Sequence, residues 1–100
     1  MVVLAQLLEF EWDSGNQGKN FRKHRVTDEE CEETFFDEGK KMLTDTLHSQ
    51  NESRHILLGK TKNHRVLFVV FTLRKQKIRV ISARDFNTRE QHLYEKETKS

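Results

Sequence analysis

Two apolar runs near the C-terminus, separated by a short polar turn, constrain the fold of this chain more than any other feature. The runs extend from Val66 to Leu73 and from Lys77 to Ala83. Both are rich in β-branched and aromatic residues with alternating polarity, which is typical of half-buried strands. The pattern predicts an antiparallel hairpin whose two-residue loop is Lys75-Gln76.

A two-residue loop also fixes the register of the hairpin. It pairs Arg74 with Lys77, Thr72 with Arg79, and Val70 with Ile81. Side chains alternate between the two faces of a strand, so one face becomes a continuous apolar core face. That face consists of Leu67, Val69, Phe71, Leu73, Ile78 and Val80. A slip by one residue would bury Arg79, so this register is favoured.

The opposite face of the hairpin is apolar at one end and basic at the turn end. Arg74, Lys77 and Arg79 lie there, and Arg54 joins them from the preceding predicted strand. In this register Arg84 falls on the core side. Arginine forks bind phosphate and carboxylate groups in two places, so the cluster is either an anion site or a set of solvated hairpin charges.

The remaining elements follow from periodicity and from capping signals. Predicted strands cover Leu7–Trp12, Lys41–Asp45 and Arg54–Lys60, with a loop at His48–Glu52 and a turn at Asn63-His64. The first predicted helix covers Ser14–His24, with Asp13 as its N-cap, and the second starts at Thr27 and ends at Gly39. The third covers Asn87–Glu97, with Asn87 or Thr88 as its cap and with Leu93 and Tyr94 as its apolar contacts. The order predicts one α+β domain over residues 1–100, a small antiparallel sheet with two N-terminal helices and one C-terminal helix packed on it.

The second helix carries the clearest local signal. Thr27 and Glu30 form a T-x-x-E capping box. Cys31 and Phe35 form its apolar stripe, with Thr34 and Phe36 as further candidates. We therefore interpret the single cysteine of the chain, Cys31, as a small core residue rather than a nucleophile.

Charge is unevenly distributed although the net charge is only +2. The second predicted helix is acidic, whereas residues 54–84 contain no Asp or Glu. One face is therefore expected to be positive. A lone cysteine fits a reducing compartment, and residues 1–8 are too short to span a bilayer and lack a signal-peptide pattern. These features predict a cytoplasmic protein.

Catalytic signals from single motifs are weak. Lys23 and His24 are adjacent on the first predicted helix, and a histidine near neutral pKa is a candidate general base for a ribose hydroxyl or an ordinary surface residue. The other histidines show no metal-ligand spacing, and no phosphate-binding loop or nucleophile elbow is present, so we expect no metal and no cofactor.

Taken together, several strings resemble the BrnT family of bacterial type II toxins, a branch of the RelE-like ribonucleases. They are Phe10-Glu11-Trp12-Asp13, Asn20, Lys23-His24 with Val26, Glu30 through Phe35-Phe36-Asp37, Glu52-x-Arg54, Gly59, Val69-Val70-x-Thr72-x-Arg74, Ile78 to Arg84, Arg89-Glu90 and Tyr94. The resemblance runs from residue 10 to about 95. The order and spacing of the strings are jointly specific.

The resemblance implies a RelE-like fold and metal-independent cleavage of mRNA by attack of a ribose 2′-hydroxyl, which inhibits translation. The residues it suggests are Arg54, Arg79, His24 and Lys23 for catalysis, and Arg74, Lys77 and Arg84 for RNA phosphates. Tyr94 and Glu90 would pack the last helix on the sheet. The alternative is a non-catalytic toxin-like or RNA-binding module that acts through an antitoxin as corepressor.

The resemblance also implies a partner, a BrnA-like antitoxin with a ribbon-helix-helix end, through which operator DNA would be bound. Either the acidic second helix or the basic sheet face could dock it. The sequence departs from the family at Arg25 and in the turn Lys75-Gln76, where glycine is common. Both departures make left-handed backbone geometry less favourable there.

Overall fold

The computed structural model describes residues 9–43 and 54–98. The helices are α1 (Lys19–His24), α2 (Asp28–Thr34) and α3 (Thr88–Thr98), and the strands are β1 (Lys41–Leu43), β2 (His55–Lys60), β3 (Val66–Arg74) and β4 (Lys77–Asp85). The strands form one antiparallel sheet in the order β1-β2-β3-β4. The predicted α+β class is confirmed. No helix among these residues is long and apolar enough to cross a membrane.

The sheet separates two apolar clusters. On one face, which we call the α2 face, the side chains of β2, β3 and β4 pack against Val26, Cys31 and Phe35 of the N-terminal half. On the other, the α3 face, Ile56 and Leu58 pack against Tyr94. Charged side chains on either face therefore lie beside a packed, rigid layer.

The α2 helix begins as the sequence predicts. The Thr27 hydroxyl accepts a hydrogen bond from the Glu30 amide at 3.0 Å, and the Glu30 carboxylate accepts one from the Thr27 amide at 2.9 Å. Cys31, Thr34 and Phe35 are buried, but Phe36 is 60% exposed, so its assignment to the core stripe is wrong. The helix has ended at Thr34, which turns Phe36 away from the sheet.

Gly59 permits the close approach of α2 to the sheet. A Cβ atom at this position would lie 2.7 Å from Thr34 Cβ and 2.8 Å from the Thr34 carbonyl oxygen. Both distances are too short for carbon, so only glycine fits between β2 and α2 at this separation.

The β3–β4 hairpin follows the predicted register only near its turn. Arg74 pairs with Lys77 and Thr72 with Arg79 as expected. A bulge then shifts the register between Val70 and Phe71, so that Val70 pairs with Ser82 instead of Ile81. Lys75 and Gln76 both have positive φ, 53° and 69°, which is the geometry of a primed turn adopted without glycine.

The N-terminal segment differs most from prediction. Of the strand predicted at Leu7–Trp12, the described residues form only a single parallel bridge, between Phe10 and Ile78. Leu7 and Leu8 lie outside the described residues. The predicted helix begins only at Lys19 with Gly18 as N-cap, so Asp13 is not its cap. Arg25 ends α1 in the left-handed region at φ 58°, despite its side chain.

The other boundaries agree closely with prediction. The edge strand β1 covers Lys41–Leu43 of the predicted segment, while Thr44, Asp45 and the predicted loop His48–Glu52 lie outside the described residues. Asn87 caps α3 by exchanging hydrogen bonds with Glu90 at 2.9 and 3.0 Å. Tyr94 is buried, but Leu93 and the predicted core residue Leu73 are 41% and 46% exposed.

Candidate functional site

The pairing of β2, β3 and β4 places a threonine between two arginines, one on each neighbouring strand. Thr72 of β3 pairs directly with Arg79 of β4, so both side chains share the α3 face. On the other side, His55 pairs with Phe71. Continuing this register by one residue sets Arg54 opposite Thr72, on the same face as Ile56. We call Arg54, Thr72 and Arg79 the arginine row.

Arg79 binds two carboxylates, those of Glu11 and Asp13, which follow Phe10 in the chain. Its Nη1 and Nη2 donate to the Asp13 carboxylate at 2.9 and 3.0 Å, and its Nη1 also donates to Glu11 Oε1 at 3.3 Å. The Arg79 side chain is only 15% exposed. The hydrogen bond with Asp13 raises the pKa of Arg79, so the guanidinium is oriented and its charge is partly compensated.

Local backbone bonds explain why Asp13 faces Arg79 instead of capping a helix. Asp13 Oδ1 accepts a hydrogen bond from the Gly15 amide at 2.8 Å, which forms a tight Asx turn. Gly15 passes so close to Arg79 that a Cβ atom would lie 2.9 Å from Nη2. Asn16 is buried and donates to the carbonyls of Glu11 and Val80, which fastens this turn to β4.

Arg54 differs from Arg79 in the partners that the described residues offer to its side chain. Its Nε is buried and has no hydrogen-bond partner within the part of the chain that the structure describes. A buried donor without a partner costs roughly 1–3 kcal/mol. This donor lies at the start of β2, within the arginine row.

The turn end adds further positive charge beside the row. Arg74 and Lys77 form the last pair of the hairpin and are both exposed. Arg74 Nη1 lies 4.0 Å from Glu11 Oε1, so Glu11 contacts two of the predicted arginines. The four residues predicted to form an anion site, Arg54, Arg74, Lys77 and Arg79, therefore occupy one end of one sheet face.

Arg84 lies elsewhere on the same face. The bulge reverses the alternation of β4, so Ala83 is buried in the core and Arg84 points to the α3 face, contrary to the predicted core-side orientation. Its guanidinium lies 4.1 Å from the Phe68 ring centroid and binds both Glu90 oxygens, at 2.9 and 2.8 Å. Arg84 thus fastens α3 to the sheet, and Glu90 compensates its charge.

Lys23 and His24 are not brought near the arginine row. Both are exposed on α1, and Arg65 Nη2 donates to the His24 carbonyl at 3.2 Å. Arg65 also binds Asp85, at the end of β4 remote from the hairpin turn. Asp85 lies six positions along β4 from Arg79, a distance of roughly 20 Å. One phosphate cannot contact both groups in this conformation.

Arg65 is itself a structural clamp that the sequence does not single out. It forms ion pairs with Glu30 at 3.0 Å and with Asp85 at 2.7 Å, and it donates to the carbonyls of His24 and Arg25. The side-chain bond to Asp85 raises the pKa of Arg65 and lowers that of Asp85. These contacts satisfy carbonyls at the C-terminus of α1 and join both helices to the sheet.

The remaining reactive side chains show no assembled centre. Burial, together with the nearby carboxylates of Asp28, Glu30 and Glu32, raises the pKa of Cys31 to about 12, so its thiol is inert at neutral pH. This agrees with its interpretation as a core residue. Within residues 9–43 and 54–96, no three His, Cys, Asp or Glu side chains come together as metal ligands would.

Residues that sequence reasoning missed include Glu11 and Thr72. The alternation that places Phe10 and Trp12 on one face also places Glu11 on the other, so Glu11 could have been found from the sequence. Its contact with Arg79 needs the Phe10–Ile78 bridge, which joins residues far apart in the chain. The predicted register already pairs Thr72 with Arg79, but a single threonine within an apolar strand does not by itself indicate a role in a site.

The Asp13–Arg79 pair predicts a measurable titration. Arg79 lowers the pKa of Asp13 from its ordinary value of 3.8, mainly through their hydrogen bond. Because the folded pKa is depressed, the pair contributes its full stability above pH 3.8 and loses it as the pH falls through the folded pKa. Carboxyl NMR titration should show Asp13 titrating below 3.8 in the wild type and at a higher pH in Arg79→Gln, where the Gly15 amide still lowers the pKa. Asp85, held by Arg65, should be unchanged by that substitution; an Asp13 that titrates normally in the wild type would contradict the pairing.

Fold and site together define a small α+β protein with a cluster of oriented cations on one end of its sheet. The model of the family "ribonuclease toxin, BrnT, of type II toxin-antitoxin system" matches residues 12–90, and the chain belongs to this family. The family implies an antitoxin partner. A search of curated proteins finds no match to the chain.

Proposed function

We propose that this protein is an endoribonuclease toxin that cleaves mRNA at the arginine row. The observation that carries the proposal is the Nε of Arg54, buried and without a partner among the described residues, beside a strand pair that presents Thr72 and Arg79 on the same face. A phosphate seated there would supply the missing acceptor. Membership of the ribonuclease toxin family supports the same activity.

The proposed reaction needs charge stabilisation and proton transfer but no metal. The ribose 2′-oxygen bonds to the adjacent phosphorus while the bond from phosphorus to the 5′-oxygen breaks. The leaving 5′-oxygen takes a proton from solvent water, so the products are a 2′,3′-cyclic phosphate and a free 5′-hydroxyl. Negative charge grows on the non-bridging phosphate oxygens, and arginines already fixed on strands stabilise it without reorganisation. Arg54 and Arg79 take this role, and Arg74 and Lys77 hold neighbouring phosphates.

The 2′-hydroxyl proton needs an acceptor at this end of the sheet. Among the described residues around Arg79, the carboxylates of Glu11 and Asp13 are the groups able to take it. Asp13 accepts hydrogen bonds from both Arg79 Nη atoms and from the Gly15 amide, whereas Glu11 accepts a single longer one from Arg79 Nη1 at 3.3 Å. We therefore assign proton acceptance to Glu11. Lys23 and His24, at the far end of β4, would contact only flanking RNA.

The proposal extends to partners and place of action. A BrnA-like antitoxin with a ribbon-helix-helix end would hold the toxin inactive, and the complex would reach operator DNA only through that end. Arg84, bound by Glu90 and stacked on Phe68, would contribute to RNA affinity only by keeping α3 in place. Its substrate is mRNA, so we assign the protein to the cytoplasm.

One observation favours the alternative of a non-catalytic module. Arg79 already binds two carboxylates, so an RNA phosphate must displace Asp13 or use the guanidinium's remaining N–H groups. If displacement does not occur, the basic end would bind RNA without cutting it. Such a binder would lose affinity smoothly with salt and generate no new RNA ends.

The direct test is to induce the chain in bacteria and to map RNA ends while following growth. We expect growth arrest together with new mRNA 5′ ends that carry hydroxyl groups, because the leaving 5′-oxygen takes up a proton. The purified protein should yield the same ends in the presence of a chelator. Soluble, folded protein that neither arrests growth nor cleaves RNA would refute the enzyme and favour the non-catalytic module.

A further inference from the structure

A different surface of the molecule combines acidic and exposed aromatic side chains. Two open grooves, of about 640 and 570 Å³, lie on either side of α2, and both are lined by Glu29 and Glu32. Phe36 lines the larger groove and is 60% exposed, and Phe21 lines the smaller one and is 43% exposed. We call this surface the α2 ridge. Exposed aromatic side chains beside a groove are typical of protein-binding surfaces.

Charge on the ridge is predominantly negative and partly preorganised. Five carboxylates line the grooves, against the three cationic side chains Arg22, Lys60 and Lys62. Glu32 is held in place by Trp12, whose Nε1 donates to it at 2.7 Å, and Glu33 accepts a hydrogen bond from the Lys62 amide at 3.0 Å. The Glu29 carboxylate accepts no hydrogen bond from the described residues. It therefore presents an available negative charge at the centre of the ridge.

The ridge lies on the other side of the sheet from the arginine row. Helix α2 packs on the α2 face through Phe35, which contacts the Phe71 ring edge to face at 5.0 Å. The arginine row lies on the α3 face. RNA is repelled by carboxylates, so the ridge is unsuited to the proposed substrate. Its complement is a protein segment that carries basic side chains interleaved with apolar ones.

We infer that the α2 ridge is the docking surface for the antitoxin, through a segment of that partner with basic and apolar side chains that fill the two grooves. The inference rests on the proposed toxin function for the identity of the partner, but not on RNA cleavage. Phe36 and Glu29 are its central contacts, because both are exposed and both border the larger groove. An anchor on this side leaves the arginine row uncovered by the docked segment itself.

The test uses the full-length chain and a purified antitoxin of this toxin family, with affinity measured by calorimetry. Phe36→Ala and Glu29→Lys should each weaken binding about tenfold or more, since central anchors dominate interface energies. Leu93→Ala, at an exposed apolar residue on α3, is the matched control and should leave affinity unchanged. Hydrogen exchange should show antitoxin-dependent protection in residues 28–36 and 61–64. RNA cleavage by the isolated variants should equal that of the wild type.

Four results would overturn the inference. They are absence of binding by the wild type, wild-type affinity in both ridge variants, protection confined to the β3–β4 turn, or a dimer of this chain that Phe36→Ala dissociates. Failure of the proposed function looks different. The isolated wild type would then leave RNA intact while the ridge variants still lose antitoxin affinity.

Discussion

Arg54→Ala is expected to reduce RNA cleavage by about 100- to 1000-fold while the protein remains folded, which is the scale of losing one preorganised donor to a developing oxyanion. The substitution removes a guanidinium whose buried Nε has no partner among the described residues. Folding should therefore not suffer from its loss, and removing an unsatisfied donor slightly favours the folded state. Single-turnover cleavage of an RNA oligonucleotide measures the effect on the chemical step.

Two further variants make this result interpretable. Arg89→Ala removes an exposed arginine on α3 and should cleave at the wild-type rate. Arg79→Ala should also lose cleavage, but it breaks the ion pairs with Asp13 and Glu11 and should lower the thermal midpoint as well. Arg54→Ala with full cleavage activity would place the chemistry outside the arginine row. Loss of cleavage in all three would point to bulk positive charge instead of a defined site.

The parts of the fold that sequence reasoning predicted correctly are those set by local rules. The capping box at Thr27 and Glu30 depends only on residues three apart, and it is present. The turn end of the hairpin depends on loop length, and the pairs Arg74–Lys77 and Thr72–Arg79 follow from it. These pairs suffice to place Arg79 on the face of the hairpin opposite the core face.

What could not be predicted depends on contacts between residues far apart in the chain. The bulge between Val70 and Phe71 brings Ala83 into the core, where Asn20 of α1 accepts a hydrogen bond from its amide at 3.0 Å. No local pattern in β4 predicts the bulge, so the sequence alone places Arg84 on the wrong face of the sheet. In the same way, Asp13 looked like a helix cap because its contact with Arg79, 66 residues away, is invisible in the sequence.

The site was predicted only in part for a related reason. Residues on neighbouring strands were brought together correctly, since strand order and alternation specify them. Lys23 and His24 were grouped with the arginines by the family resemblance. The position of α1 along β4 decides their location, and it is set by the bond from Ala83 to Asn20 and by Arg65, which ties the end of α1 to Asp85.

Phe35→Ala is expected to destabilise the protein by about 3–5 kcal/mol, as is usual when a buried phenylalanine is truncated. Phe35 is 1% exposed and contacts two other rings edge to face, Phe10 at 5.3 Å and Phe71 at 5.0 Å. It therefore joins the N-terminal segment, α2 and the sheet. A loss of this size is a large fraction of the stability of a domain of this length. The change in urea midpoint at constant m-value measures it.

The neighbouring residue provides a matched control for that measurement. Phe36→Ala removes the same side chain from the next position, where it is 60% exposed, and should change the free energy of unfolding by no more than about 0.5 kcal/mol.

Because Phe35 supports the segment that carries Glu11 and Asp13, the Phe35 variant should also lose RNA cleavage under conditions where part of it remains folded. Equal destabilisation by the two variants would show that α2 does not pack on the sheet through Phe35.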